Sequence, residues 1–383
     1  MGVTVKADPL PRALRLSPEA PYRLLVGVGG IGAGMFFALE GNHALGRNES
    51  RQGRLLDVRD YCKLHIVAHY PAVLLGARED RGPFHVVPVG NVGIDEVGLR
   101  LRAEMERAGM DVRFVRALPG RPTLLSVCFQ YPDGSGGNVT TVGSAAALVS
   151  DHDVDRVEGW LSPGAFALAA PEVPLPVRRH LLRRATERGA LRVASLTTAE
   201  IEEARETGVL SVVDLLALNE DEAAALARAP FAPDAPEPCL RRCAATALAF
   251  QPGMRLIVTA GARGSFAFDG AAWTHVPALA VPVVSSAGAG DALLGGVLVG
   301  LAAGLPFAGP FPSHAGLVER PLASALDLGV LLAAFKLTSP HTIPPDLSLD
   351  ALVAFAREQG VAFADGFRRL LPAENVPEHA RGR

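Results

Sequence analysis

The sequence predicts an α/β protein with a mainly parallel central sheet that is covered by helices on both faces. Short apolar runs typical of buried strands alternate along the chain with segments of helical apolar spacing. Residues 84–93 (FHVVPVGNVG) predict a buried strand, and residues 95–110 predict a helix that stops at Gly109. Strands that alternate with helices pair in parallel and bury both faces of their sheet. We find no internal repeat.

The same alternation continues to the end of the chain. Residues 121–143 predict a β-hairpin that turns at Asp133-Gly134. Further strands are predicted at 191–196 and 211–219, and a strand, turn and strand at 255–270. Helices are predicted in the following segments: 177–190, 220–228, 287–304 after a glycine loop, and 322–337.

Composition excludes several classes of protein. The 383 residues carry a formal net charge of −3 and are 49% hydrophobic, so nothing favours a nucleic acid or a membrane surface as partner. The longest apolar candidate, Ala287 to Leu305, is interrupted by glycines and carries Asp291, so it is not expected to span a bilayer. Met1 to Pro21 lacks the apolar stretch of a signal peptide, which favours the cytoplasm. The four cysteines predict free thiols rather than a disulfide framework or a zinc site.

One glycine pattern suggests a different function. Gly27, Gly29 and Gly32 form G-x-G-x-x-G directly after an apolar run, which is the pattern of NAD-binding oxidoreductases. That fingerprint requires a helix after the glycines and an acidic residue about 20 residues further on. Residues 35–46 (MFFALEGNHALG) fit a lid strand better than such a helix, so dinucleotide binding is the weaker alternative.

The most informative stretch is VVSSAGAGDALLGG, residues 283–296. The glycines allow the backbone amides of Gly288, Ala289 and Gly290 to face one point at the start of a helix, an arrangement that binds anions. A carboxylate repels phosphate, so Asp291 makes chemical sense there as a base that takes a proton from an attacking hydroxyl. The other interpretation is an ordinary loop with an aspartate capping the helix.

Two more motifs precede this loop in a fixed order. Asn219 and Glu222 form N-x-x-E between a strand and a helix, and Thr259, Gly261 and Gly264 form T-x-G-x-x-G at a turn. Together with G-A-G-D at 288–291 and VGNVGIDEVGLRL at 89–101, this order resembles the ribokinase-like (PfkB) carbohydrate and nucleoside kinases. The resemblance spans roughly residues 23–340.

The resemblance implies a fold and a domain organisation. The fold would be a ribokinase-like three-layer αβα sandwich with a mainly parallel central sheet and a small β lid. One kinase domain would cover residues 21–371, with the lid formed from about 33–60 and 121–143. Residues 1–20 would be a loose N-terminal arm and residues 372–383 a frayed C-terminal tail.

The resemblance also implies an activity. The protein would be an ATP-dependent kinase that transfers the γ-phosphate to a hydroxyl of a sugar, nucleoside or related polyol. Asp291 would be the general base, and the backbone of Gly288, Ala289 and Gly290 the anion hole. Asn219 and Glu222 would order the triphosphate and Mg²⁺, Glu222 through water. Thr259, Gly261 and Gly264 would line the nucleotide site. Its partner would be this small molecule, and a homodimer stays open.

The substrate end departs from the family pattern. The aspartate that usually grips sugar hydroxyls is replaced by Gly34. The usual G-G-x-x-x-N segment is absent from residues 60–77, which offer Lys63, His65 and His69 instead. These side chains either meet a substrate more anionic than a plain sugar or form an ordinary half-exposed helix face.

Two further points follow from these departures. Ser285 stands where the family usually has an aspartate before the G-A-G-D loop, which weakens the case for a bound monovalent cation. Loss of the sugar-gripping residues also favours an alternative function, a kinase-fold protein that binds a nucleotide or metabolite with little turnover.

Overall fold

In a computed structural model, the described residues are 12–79, 82–133, 136–309 and 315–372. The strands are β1 (Leu24–Val28), β2 (Gly32–Leu39), β3 (Gly53–Tyr61), β4 (His85–Gly93), β5 (Val115–Leu118), β6 (Leu124–Gln130), β7 (Gly136–Thr140), β8 (Ala165–Ala169), β9 (Leu191–Ser195), β10 (Leu215–Leu218), β11 (Arg255–Thr259), β12 (Ser265–Phe268) and β13 (Trp273–Val276).

The helices are α1 (Lys63–Leu74), α2 (Glu96–Arg107), α3 (Asp151–Asp155), α4 (Leu175–Arg188), α5 (Ile201–Glu206), α6 (Glu220–Ala227), α7 (Glu237–Phe250), α8 (Ala289–Ala302), α9 (Ala325–Leu337), α10 (Leu349–Glu358) and α11 (Asp365–Arg368). Asp95 caps α2 by accepting a hydrogen bond from the Gly98 amide. Sequence periodicity did not predict α7 or α10. The first of these begins within the proline-rich stretch 229–239 (APFAPDAPEPC), whose composition predicts a surface loop.

The large sheet has the strand order β13-β12-β11-β10-β9-β8-β1-β4-β5. Each neighbouring pair of strands from β11 to β5 is parallel. β12 is antiparallel to β11, and β13 is antiparallel to β12. Alternate residues of β1 enter different cores, because Leu25 packs in the cluster that contains α1, α8 and α9, and Val26 packs in the cluster on the α4 side. Helices therefore cover both faces, which confirms the predicted three-layer sandwich.

A second, smaller sheet has the order β3-β2-β6-β7 and forms the predicted lid. β2 pairs in parallel with β6, and each of these strands carries an antiparallel partner, β3 and β7. The end of β3 is fixed to the main domain through Thr342. Its amide donates to the Arg59 carbonyl over 3.0 Å, and its hydroxyl accepts from the Tyr61 amide over 3.2 Å.

The glycine-rich stretch after β1 does not form a dinucleotide site. β1 continues into the lid strand β2, and no helix follows Gly27, Gly29 and Gly32. The interpretation as an NAD-binding oxidoreductase is therefore wrong, because the pyrophosphate of a dinucleotide needs a helix N-terminus at that point. The absence of a side chain at Gly29 instead lets Leu64 of α1 pack closely, since a Cβ there would come within 2.8 Å of the Leu64 Cβ.

The two ends of the chain were predicted to be loose. Residues 1–11 and 373–383 lie outside the described residues, so for these the prediction stays a prediction. Residues 14 and 15 are docked on the domain: Leu14 is 2% exposed and its amide donates to the Leu74 carbonyl, while the Arg15 amide donates to the Leu370 carbonyl. Among the described helices, none has the length and apolar character needed to cross a membrane.

Small residues bring α8 and α9 into close contact. A Cβ at Gly300 would lie 2.6 Å from the Ala325 Cα, and a Cβ at Gly296 would lie 2.8 Å from the Gly329 Cα. The neighbouring atoms belong to the backbone, which has no rotamer to change. The packing of α8, the helix that begins at Asp291's loop, therefore depends on these glycines.

We expect Gly300→Ala to destabilise the protein by about 1–3 kcal/mol, the usual cost of overpacking. Helix propensity alone would change stability in the opposite direction by about 1 kcal/mol. Gly366→Ala in α11 is the matched control, because a Cβ at Gly366 meets no atom within 4 Å. Chemical denaturation of both variants checks this, and equal midpoints for the two would contradict it.

Candidate active site

The loop from Gly288 to Gly290 leads into the N-terminus of α8. Gly288 is the N-cap of α8 and has φ of 80°, a left-handed conformation that favours glycine. Its Cα lies against Thr342, since a Cβ at Gly288 would be 3.1 Å from the Thr342 Cβ. The Ala289 amide donates to the Ser286 carbonyl over 3.2 Å, so of the three amides expected to bind an anion this one already has an acceptor. Amides in the first turn of a helix have no acceptor within the helix, so this end of α8 suits an anion.

A cavity of about 690 Å³ opens beside this loop. Ser195, Asn219 and Thr259 reach it from the carboxyl ends of β9, β10 and β11, which is the edge where parallel α/β sheets bind ligands. The remaining lining is mostly apolar and comes from the sheet, the segment before α8, and the helices α8 and α9: Ala217, Leu218, Ile257, Leu279, Val281, Val283, Leu293, Val330, Ala333 and Leu337.

Asn219 and Glu222 form a capping box at the start of α6. The Asn219 side chain accepts from the Glu222 amide, and a Glu222 carboxylate oxygen accepts from the Asn219 amide, each over 2.8 Å. Glu222 is only 5% exposed, and its other oxygen lies 3.6 Å from the Lys63 Nζ. The N-x-x-E motif is thus a structural cap that also places a carboxylate at the cavity.

Thr259, Gly261 and Gly264 lie where the T-x-G-x-x-G motif predicts, at the turn between β11 and β12. All three line the cavity. The Thr259 hydroxyl donates to the Leu218 carbonyl over 3.4 Å, which ties the ends of β10 and β11 together. The same hydroxyl faces the start of α8, because a Cβ at Gly290 would lie 3.7 Å from it.

Lys63 is the positive charge of this site. It is the first residue of α1 and lines the cavity. Burial lowers the pKa of its ammonium, but the charges of Asp291, Glu222 and Glu172 outweigh burial and raise that pKa overall. The ammonium therefore stays protonated at neutral pH.

Asp291 lies in the first turn of α8, half-buried at the cavity wall. Burial raises the pKa of its carboxyl to about 6, Lys63 opposes that rise, and the charges of Glu222 and Asp60 add to it. At pH 7 the carboxylate is mostly ionised yet more basic than an ordinary aspartate. This is the range in which a carboxylate serves as a general base.

Glu172 is a site residue that sequence reasoning missed. It follows β8, has a positive φ of 69°, and interacts with the Cys62 thiol and the Lys63 amide at the start of α1. The residue is exposed as a whole, but desolvation of its carboxyl group raises the pKa to about 7, and the charge of Asp291 adds to that rise. Strained non-glycine backbone of this kind concentrates at functional sites. Its position just beyond a central strand was the available signal.

Asp60 is a second missed residue. It lies near the end of β3, opposite Gly34 on β2, and a Cβ at Gly34 would come within 2.1 Å of the Asp60 Oδ2. The carboxylate thus fills the space that a side chain at position 34 would take. Burial raises the pKa of Asp60 to about 6, while hydrogen bonds from the Tyr61 amide and the Thr342 hydroxyl oppose the rise.

Of the three basic residues expected at the substrate, only Lys63 reaches the cavity. His65 is 1% exposed, and its ring lies between those of Tyr61 and His69, at centroid distances of 4.4 and 5.8 Å. Burial lowers the pKa of His65 and brings that of His69 to about 4, so both imidazoles are neutral. The reason is helical geometry, because residues two apart on a helix do not face the same way.

The residues present fit a magnesium ion carried by a nucleotide rather than an ion held by protein alone. Among the described residues no group of three or more histidine, cysteine or carboxylate side chains is arranged to hold a metal. Glu222 has one oxygen in the capping box and one facing the cavity. Mg²⁺ in such sites keeps several waters and binds one or two carboxylates together with substrate phosphates.

Comparisons with known proteins identify the family of this chain. A model of the pfkB family of carbohydrate kinases matches residues 72–348. The fold is similar to Arabidopsis thaliana ribokinase complexed with ribose and ATP, with 21% identity, a TM-score of 0.65 and coverage of 87% of this chain and 98% of that one.

Two further structures have similar folds. A carbohydrate kinase from Agrobacterium tumefaciens has 20% identity and a TM-score of 0.63, covering 89% of this chain and 98% of its own. A Burkholderia thailandensis nucleoside kinase in complex with inosine has 16% identity and a TM-score of 0.61, covering 87% and 97%.

We expect Asp291→Asn to stabilise the folded protein at pH 8. The native carboxyl has a pKa raised from its ordinary 3.8 to about 6, so its ionised form costs stability in full above about pH 6, and that cost decreases as the pH falls from 6 towards 3.8. The advantage of the variant should therefore shrink at pH 5. Denaturant unfolding at the two pH values measures it, with exposed Asp346→Asn as control. A variant less stable than wild type at pH 8 would show that Asp291 is a structural cap.

Proposed function

Because this chain belongs to the pfkB family of carbohydrate kinases, we propose that it transfers the γ-phosphate of ATP to a hydroxyl of a small, neutral polyhydroxylated molecule such as a sugar, nucleoside or polyol. The observation that carries the proposal is Asp291, a carboxylate with a raised pKa in the first turn of α8, beside the anion-binding loop and near Lys63. A site that only bound phosphate would gain nothing from that carboxylate.

The cavity suits ATP in two parts. Its apolar portion, between β10, β11 and α9, accepts a purine ring, which needs apolar surface on both faces. Its polar end holds the anion loop and Lys63, which suit the triphosphate. Phosphoryl transfer is catalysed mainly by positioning and by stabilising charge on the transferring group. In this proposal the amides at the start of α8 stabilise that charge.

Asp291 acts as the general base. The acceptor hydroxyl donates a hydrogen bond to the Asp291 carboxylate, gives up its proton to it, and attacks the γ-phosphorus in line with the bond to the leaving ADP oxygen. Lys63, close to Asp291 and Glu222, limits the repulsion between these carboxylates and the incoming phosphates. Glu222 would hold the water shell of a Mg²⁺ ion bound with the nucleotide, and such an ion would supply positive charge to the phosphates.

The charges at the acceptor end favour a neutral substrate. Lys63 already interacts with the carboxylates of Asp291, Glu222 and Glu172. Asp60 is a further carboxylate near this end of the site. An anionic acceptor would be repelled there, whereas hydroxyl groups donate hydrogen bonds to carboxylates. The geometry thus supports a polyhydroxylated acceptor over the anionic one that the basic residues near position 65 suggested. Asp60 supplies the carboxylate missing at position 34.

We expect Asp291→Asn to lower kcat by about 10²- to 10⁴-fold, the usual contribution of a general base, and to leave ADP affinity close to wild type. In the wild type, kcat/KM should fall as the pH drops below about 6, because the base is then protonated. Steady-state kinetics against pH and ADP titration calorimetry measure both, with Asp346→Asn as control. Retention of near-normal turnover in the variant would exclude this mechanism.

We expect Asp60→Asn to raise KM for the acceptor about tenfold, the value of one lost charged hydrogen bond, without changing KM for ATP. Asp57→Asn is the matched control, because Asp57 lies on the same strand, is exposed, and faces the other side of the lid sheet. The comparison is made on whichever acceptor a substrate panel identifies. Equal acceptor KM values for the two variants would place substrate recognition elsewhere.

A further inference from the structure

Lys336 is a buried ammonium that the proposed reaction does not use. It lies in the last turn of α9 and is 0% exposed. Its Nζ donates to the Ser285 carbonyl over 2.7 Å and to the Ser339 carbonyl over 3.4 Å. Both acceptors are main-chain oxygens, so this is a cation coordinated by backbone carbonyls. The charge of the Asp60 carboxylate raises the pKa of Lys336 and so opposes the effect of burial.

The choice of lysine at this position is unusual for this chain. Only three lysines, Lys6, Lys63 and Lys336, stand among 37 lysine and arginine residues. Of the two within the described residues, Lys63 lines the cavity and Lys336 contacts the segment that precedes the anion loop. An ammonium is a compact point charge, whereas the planar guanidinium of arginine is larger and needs a fork of acceptors. In size and charge, the ammonium of Lys336 is therefore closer to a small monovalent cation than a guanidinium would be.

The two carbonyls belong to the segments that hold the anion loop. Ser285 precedes the loop by three residues, its hydroxyl accepts from the Ala287 amide over 3.3 Å, and the Val284 amide donates to the Leu337 carbonyl over 2.8 Å. Ser339 begins the turn that leads to Thr342, against which Gly288 packs. The ammonium thus joins two backbone segments, one at Ser285 before the loop and one at Ser339 before Thr342.

A bound metal cation does not fit this arrangement. Position 285 offers a serine rather than a carboxylate, and its carbonyl is already engaged by Lys336. Burying an ammonium carries a desolvation cost that two carbonyl hydrogen bonds only partly offset, and burial accordingly lowers the pKa of Lys336 to about 8. A costly buried charge is retained when it has a specific role, and here that role is to fix the loop.

We propose that the Lys336 ammonium is a built-in monovalent cation that holds the anion loop in its binding conformation, so that the protein needs no bound K⁺. The effect on nucleotide binding rests on the proposed function, whereas the effect on the loop does not. Lys336 acts through the loop and is a positioning residue.

The test compares melting temperature and ADP affinity in KCl, NH₄Cl and choline chloride at equal ionic strength. Wild type should give the same values in all three salts. Lys336→Ala leaves room for an ion, so it should melt lower and bind ADP about tenfold more weakly in choline, and K⁺ or NH₄⁺ should restore both. Lys336→Met fills the space with an apolar chain and should show the loss without the restoration.

Two results would overturn the proposal. One is a wild-type melting temperature that is higher in KCl than in choline chloride. This measurement does not depend on whether any variant folds. The other is a Lys336→Ala protein that responds to K⁺ no more than Lys336→Met does. If wild type binds no ADP in any salt, the proposed kinase function fails, while the response of the melting temperatures still decides the role of Lys336.

Discussion

The site depends on the balance between one ammonium group and the carboxylates gathered around it. Lys63 faces Asp291, Glu222 and Glu172, and Asp60 adds a fourth negative charge that acts on Asp291. Without that cation, like charges at close range would disfavour ionisation of the group that must act as a base. With it, Asp291 keeps a pKa near 6, ionised at neutral pH but still basic.

The fold concentrates these charges by simple means. Parallel strands end at one edge, so side chains just beyond β8 and β10 converge there with the starts of α1, α6 and α8. Helix starts carry partial positive charge and unpaired amides, which stabilise carboxylates and phosphates alike. Close packing of α8 on α9 through Gly300 and its neighbours holds that helix start in place. Stability and chemistry are therefore coupled through α8.

Much of the fold and part of the site could be predicted from the sequence. Alternating apolar periodicity predicted the layers. The G-A-G-D stretch alone left open an ordinary capped loop, and only its order after N-x-x-E and T-x-G-x-x-G singled out Asp291 as a candidate base. Asn219 and Glu222 were harder to assign, since the same pattern forms an ordinary capping box, and the structure shows that they do form one.

The remaining site residues are products of tertiary structure. Asp60 meets Gly34 only through the pairing of β2 with β3, and Glu172 reaches α1 through a left-handed corner after β8. No local pattern marks Asp60, and the only signal for Glu172 is its position just beyond the central strand β8. His65 was expected at the substrate because residues 60–77 stand where the family has its G-G-x-x-x-N segment, but its side chain is buried in the core. The family match begins at residue 72, after Gly34, Asp60 and Lys63, so it does not cover this end of the site.

The most direct test of this account is ³¹P NMR of the wild-type protein incubated with Mg·ATP and a panel of neutral sugars, nucleosides and polyols. The account predicts that at least one acceptor gives a new phosphate monoester resonance, with ADP formed in equal amount, and that Asp291→Asn gives neither at a comparable rate. Stoichiometric binding of ATP without ester formation from any acceptor would contradict it, and would identify the protein as a nucleotide-binding member of its family without phosphotransferase activity.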